Sequence, residues 1–196
     1  GCFWGAEKCF WKLPGVITTS VGYAGGKKSN PTYYEVCSGL TGHSEVVRVI
    51  WDKREIDISD LLKMFWECHD PTQKNRQGND IGTQYRSAIY YKNENNVEII
   101  LASKEQYQKN LNKKNFGLIE TEIKMIDSYY FAEEYHQQYL ALAGSRQYCS
   151  ASPTKVKLEN FAGCSYKLKS LIWENFNWEV DKCVLRSDNN PIKNNI

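Results

Sequence analysis

At 196 residues the chain can bury a sizeable core as one domain with an appendage. Its net charge of +2 offers no electrostatic handle for nucleic acid or an acidic membrane surface, and no apolar run is long enough to span a bilayer. Seven cysteines, Cys2, Cys9, Cys37, Cys68, Cys149, Cys164 and Cys183, contain no C-x-x-C pair, which argues against a zinc ribbon or a thioredoxin-type motif, and their odd count and wide spacing argue against a secreted disulfide framework.

The chain opens on Gly1-Cys2-Phe3-Trp4-Gly5, directly before a helical run from Ala6 to Trp11 that Pro14-Gly15 ends. Val16 to Tyr23, rich in β-branched residues, reads as a strand. A loop over 24–31 leads to one helical turn, Thr32 to Cys37. Ser44 to Trp51 is a second strand whose alternation puts Glu45 on the same face as Val47, Val49 and Trp51. Ser59 is the expected cap of a helix running to Cys68, with Leu61, Leu62, Phe65 and Trp66 inward.

Asp70 to Gln84 is a long polar loop, a common place for function. Tyr85 to Tyr91 reads as a third strand, Asn93 as the cap of a helix to Leu111, Ile119 to Asp127 as a fourth strand, and Ala132 to Leu142 as a last helix ended by Gly144. This order predicts an α+β fold with helices packed on a mixed or antiparallel sheet. A strand before Cys2 would complete a split β-α-β arrangement. The chain has no initiator methionine and no signal-like segment, so an N-terminal piece is expected to be missing, and a targeting segment could lie in it.

A cysteine at a helix start faces unpaired N–H groups and the positive end of the helix dipole, which favours a nucleophilic thiolate; core packing is the alternative. Phe3 and Trp4 can wall a pocket for a small apolar group, or pack. Glu45, a carboxyl on an apolar strand face, should be hard to ionise and able to carry a proton near neutral pH, unless it reaches solvent or an arginine.

The stretches Gly1 to Gly5, Gly22 to Gly26, Asn30 to Tyr33, Glu35 to Gly39, Thr41 to Val47, His69 to Thr72, Arg76 to Asp80, Gly82 to Ala88 and Tyr135 to Tyr139 together resemble the peptide methionine sulfoxide reductase A family, in one order over about residues 1–149. The resemblance implies a two-layer ferredoxin-like plait (split β-α-β) with a mixed sheet as the catalytic domain over 1–149. Residues 150–196 are then an irregular C-terminal extension outside the family pattern.

It also implies thiol-dependent reduction of methionine-S-sulfoxide, free or in oxidised proteins. The reaction would run through a sulfenic acid and an intramolecular disulfide recycled by thioredoxin. Cys2 would be the nucleophile, Glu45 the acid, Tyr33 and Tyr85 donors to the sulfoxide oxygen, and Asp80 a support of the hydrogen-bond network. Phe3 and Trp4 would contact the substrate methyl, and Cys149, after Tyr148, would be the recycling cysteine. Cys164 and Cys183 are further recycling candidates; Cys9, Cys37 and Cys68 read as packing residues and His136 as a structural helix residue. No cofactor, metal, nucleic acid or membrane partner is implied, and a cytoplasmic monomer is expected.

The replacement of the usual glycines after Cys149 by Ser150-Ala151-Ser152-Pro153 bears on loop mobility. Leu168, Leu171, Ile172 and Phe176 have helical spacing, so part of the extension is expected to dock as a helix. Three other readings differ in what they consume: a Cys–His hydrolase or transferase using His43, His69 or His136; a di-iron site on Glu133-x-x-His136; and a non-enzymatic binder of oxidised proteins.

Overall fold

A computed structural model describes residues 1–178 and 187–193. Cys2 is the N-cap of α1 (Phe3–Trp11), which packs against the antiparallel pair β1 (Val16–Ala24) and β2 (Ser44–Trp51). Between them lies α2 (Tyr33–Cys37), fixed by a capping box in which Thr32 and Glu35 satisfy each other's backbone N–H groups. Then come α3 (Ile58–Glu67), the short hairpin β3 (Arg76–Gln77) and β4 (Asp80–Ile81), β5 (Ala88–Tyr91), α4 (Val97–Asn112), β6 (Glu122–Met125), β7 (Tyr129–Phe131) and α5 (Ser170–Trp173). The strands form three sheets: antiparallel β2-β1-β7, the β3-β4 hairpin, and the parallel pair β5-β6. Helices and mixed pairings make the fold α+β.

Several expectations change. The cap of α3 is Asp57, whose carboxylate accepts the Ser59 N–H at 2.9 Å; Ser59 sits inside the first turn. Tyr85 is outside the third strand, ending a 3-10 turn over Thr83–Tyr85. The last helix is absent: Glu134–His136 and Tyr139–Ala141 are separate 3-10 turns around Gln138 at φ 45°. Tertiary hydrogen bonds outweigh helix propensity there. Gln137 brackets Val21, accepting its N–H at 2.9 Å and donating to its carbonyl at 3.0 Å, while Gln138 N–H donates to the fully buried Glu7 at 2.9 Å. The aromatic run of β7, too short to show periodicity, pairs with the end of β1.

Two larger hydrophobic clusters flank α3. One joins Cys9, Phe10 and Leu13 of α1 to Leu61, Met64 and Cys68, and takes in Leu168, Ile172, Phe176 and Trp178 from the extension. The other joins Leu62 and Trp66 to α4 and to Val156, Leu158 and Phe161. Of the expected extension helix only Ser170–Trp173 is helical, and Leu171 faces solvent. Buried carboxylates anchor the extension: Glu67 accepts Leu158 N–H at 2.8 Å, and Asp60 accepts Lys167 N–H at 3.0 Å and Leu168 N–H at 3.3 Å. Farther on, Ser187 and Asp188 receive Lys8 of α1 and Lys12 at its C-cap. A third, smaller cluster of Phe3, Val21, Tyr23, Val36 and Ala132 lies beneath the start of α1.

Candidate active site

Four pieces of chain converge on Cys2. Glu45, at the start of β2, is buried, and its Oε2 accepts the Phe3 N–H at 3.0 Å, placing the carboxyl against the first turn of α1. Burial pushes its pKa up to about 8, against which the Phe3 hydrogen bond works only partly. Glu45 is therefore largely protonated near neutral pH.

Cys2 is the correction to the sequence reading. Its thiol is pushed well above the ordinary range, first by burial and then by Glu45, with the Trp4 N–H opposing. Desolvation outweighs the helix start, so Cys2 rests as a thiol.

Tyr33 and Tyr85 flank this pair. The Tyr33 N–H donates to Glu133 Oε1 at 2.8 Å, and its ring lies 4.5 Å from the His136 ring. Cys37 neighbours the Tyr33 hydroxyl. Burial raises the pKa of both tyrosines, so both hydroxyls stay protonated donors. Glu133 also accepts Tyr23 O–H at 2.8 Å. It is the brace behind Tyr33, and only its tertiary partners reveal it.

Phe3 is 1% exposed and packs against Tyr23 and His136. Trp4 stacks on Tyr139, ring centroids 3.8 Å apart, and its indole N–H donates to His136 Nδ1 at 3.1 Å. With Nδ1 accepting, the His136 hydrogen sits on Nε2, a buried atom with no partner among the described residues. His136 thus belongs to the site wall, in a 3-10 turn and not in a helix.

Asp80, in β4, accepts Tyr148 O–H at 2.7 Å and the Ser150 hydroxyl. Gln77 adds two bonds to the same segment, from Ser150 Oγ to its carbonyl at 2.9 Å and from Ser152 N–H to its Oε1 at 2.9 Å. Gly78, at φ +58°, makes the approach possible: a Cβ there would sit 1.8 Å from the Ser150 carbonyl oxygen. Ser150 and Ser152 dock the segment that glycines would have left loose. Cys149 is disulfide-bonded, whereas Cys2, Cys9, Cys37, Cys68 and Cys164 are free; Cys183 lies outside the described residues. A cavity of about 450 Å³ behind the start of α1 is lined by Cys2, Glu45, Cys9, Cys68 and Cys149 among others.

The histidines do not partner Cys2. His43 Nδ1 accepts Gly26 N–H and Nε2 meets Lys28 O; His69 Nδ1 meets Phe65 O and Nε2 the Ser87 hydroxyl. His136 is held by Trp4. A nucleophile beside a buried acid and two phenols, without a histidine base, suits the transfer of an oxygen from a substrate to sulfur better than hydrolysis.

Comparison with known proteins agrees. The family model for peptide methionine sulfoxide reductase matches residues 1–167. The peptide methionine sulfoxide reductase MsrA of Azotobacter vinelandii is 58% identical over 158 residues, 81% of this chain and 73% of that protein. Methionine sulfoxide reductase A of Corynebacterium diphtheriae superposes with a TM-score of 0.64 at 47% identity, covering 71% of this chain and 70% of the other. The reduced form of Mxr1 from Saccharomyces cerevisiae gives 0.70 at 34% identity over 82% and 88%. The chain belongs to the peptide methionine sulfoxide reductase family.

Proposed function

We propose that the chain reduces methionine-S-sulfoxide, free or in oxidised proteins, with Cys2 as nucleophile and neutral Glu45 as the acid. The observation that carries this is the buried Glu45 carboxyl, held against the first turn of α1 by the Phe3 N–H and protonated near neutral pH. Cys2 Sγ attacks the sulfoxide sulfur, and Glu45 passes its proton to the departing oxygen while taking the thiol proton. Methionine leaves, and Cys2 is left as a sulfenic acid. Tyr33 and Tyr85 donate to the oxygen as its charge develops. Trp4, backed by Phe3, receives the methyl group, and Asp80 positions the 148–152 segment.

Recycling needs Cys149 as a thiol, so a thioredoxin-type dithiol first reduces its disulfide, becoming a disulfide itself. Cys149 then condenses with the sulfenic acid, releasing water, and a thioredoxin-type protein reduces the resulting Cys2–Cys149 bond, with Cys164 or Cys183 as relays. Residues 1–149 are taken as the catalytic domain of a cytoplasmic monomer, with 150–196 as its extension. The right-sized unit β5-α4-β6, a parallel crossover, and the α1-β1-β2 unit support reading the three sheets as parts of a ferredoxin-like plait. Among the described residues no helix is long and apolar enough to cross a membrane.

Comparing reductants tests the recycling scheme. Cys149→Ser is expected to lose thioredoxin-driven turnover yet keep turnover driven by dithiothreitol. Equal loss with both reductants, or loss with neither, removes Cys149 from that role.

A further inference from the structure

We propose that Cys9 and Cys68 form an internal dithiol that reduces the sulfenic form of Cys2 and so stores one extra turnover in the protein; this rests on the sulfenic-acid chemistry proposed for Cys2.

The two cysteines come from different elements, Cys9 from α1 and Cys68 from the C-cap of α3, and both lie in the hydrophobic cluster where α1 meets α3. Both are free, and both are buried, at 0% and 7% exposure. Cys9 lies seven residues beyond Cys2 and therefore on the same side of α1, about 10.5 Å along the axis. Cys68 faces that side from α3. Cys2, Cys9 and Cys68 all line the same cavity of about 450 Å³. The Gly1 amino group lies within electrostatic reach of both Cys2 and Cys68.

The pair is also polarised. Cys68 Sγ donates to the Phe65 carbonyl at 3.5 Å, and the neighbouring Cys9 and His69 hold the Cys68 thiol below its ordinary range while Cys9 lies above its own. Cys68 is thus the better nucleophile and Cys9 the follower. Packing alone does not require two free thiols in an otherwise apolar contact of α1 with α3.

The chemistry balances. The Cys68 sulfur attacks the Cys2 sulfenic acid; an S–S bond forms, the S–O bond breaks, and the hydroxyl leaves as water with the Cys68 proton. Cys9 then attacks the Cys68 sulfur of that bond, and Cys2 departs as a thiol after taking the Cys9 proton. One sulfenic acid is reduced by two electrons, and two thiols become one Cys9–Cys68 disulfide. Burial keeps the store from bulk oxidants and protein reductants, so it supplements Cys149 and does not replace it.

The test counts methionine. Full-length protein carrying Cys149→Ser and Cys183→Ser is reduced with dithiothreitol, desalted and mixed with excess methionine-S-sulfoxide without reductant. Two methionines per chain are expected, with peptide mapping showing a Cys9–Cys68 disulfide. Adding Cys68→Ala is expected to halve the yield to one. One methionine from the parent with Cys9 and Cys68 still thiols overturns the proposal, as does Cys2 mapped to Cys37 or Cys164, or a yield of two without a Cys9–Cys68 link. The mapping decides the matter even if the added variant fails to fold. No methionine from the parent protein would instead refute the role of Cys2 itself.

Discussion

Replacing Glu45 by Gln removes the transferable proton while keeping an oxygen for the Phe3 N–H. The structure fixes what that proton is worth. A carboxyl with its pKa at about 8 is about 90% protonated at pH 7, whereas one at the unperturbed 4.5 would be about 0.3% protonated, roughly a 300-fold difference in available acid. A positioned general acid contributes roughly 100- to 10,000-fold to a step of this kind. The single-turnover rate of Glu45→Gln is therefore expected to fall by at least about 100-fold, with substrate binding little changed. Glu45→Asp keeps a proton but withdraws it by one methylene, so its rate should lie between the two.

The sign of the pH dependence follows from the raised pKa. Neutral Glu45 is the active form, so the wild-type rate should hold through pH 7 and fall as pH rises through about 8. Rapid-quench measurement of methionine formation from pH 5.5 to 9.5 gives both results. A Gln variant within about twofold of wild type, or a rate that climbs through pH 8, would refute the acid role.

Trp4→Ala removes the indole stacked on Tyr139, a contact worth about 0.5–1.5 kcal/mol beyond area burial, and opens the site wall. The kcat/KM preference for methyl over bulkier alkyl sulfoxides is expected to narrow; an identical ratio would count against Trp4 as the methyl wall. Asp80→Ala releases Tyr148 and Ser150, so Cys2–Cys149 disulfide formation should slow roughly tenfold, about 1.4 kcal/mol, while the first methionine forms at the wild-type rate; stopped-flow fluorescence separates the two steps. Glu67→Ala strands the buried Leu158 N–H at a cost of about 1–3 kcal/mol, which calorimetry should register as a Tm lowered by roughly 2–12 °C, with Glu67→Gln partly restoring it.

The first half of the chain was largely legible because local rules and tertiary packing agree there. The alternation around Glu45 gave β2 at its observed bounds, but the pattern alone left the carboxyl open between burial and solvent, and the family resemblance was what pointed to the buried acid. The helical turn read over Thr32 to Cys37 is α2, which the Thr32–Glu35 capping box holds. The thiol of Cys2 was misjudged because helix position is local, while the desolvation that dominates it comes from residues distant in sequence.

Residues 132–142 have helical spacing, yet Gln137 and Gln138 are taken by Val21 and Glu7, partners invisible in a one-dimensional pattern. Cys9 and Cys68 read singly as packing residues; only the meeting of α1 with α3 makes them a pair. The extension shows scattered apolar residues because it is divided between two clusters instead of forming one amphipathic helix.

The central claim is that Cys2 reduces the S epimer of methionine sulfoxide. Purified protein and Cys2→Ser are each incubated with methionine-S-sulfoxide or methionine-R-sulfoxide and dithiothreitol, methionine is quantified, and folding of both proteins is checked by circular dichroism. Methionine should form catalytically from the S epimer with wild type alone. Equal turnover of the R epimer, or substantial methionine from folded Cys2→Ser, would contradict the account.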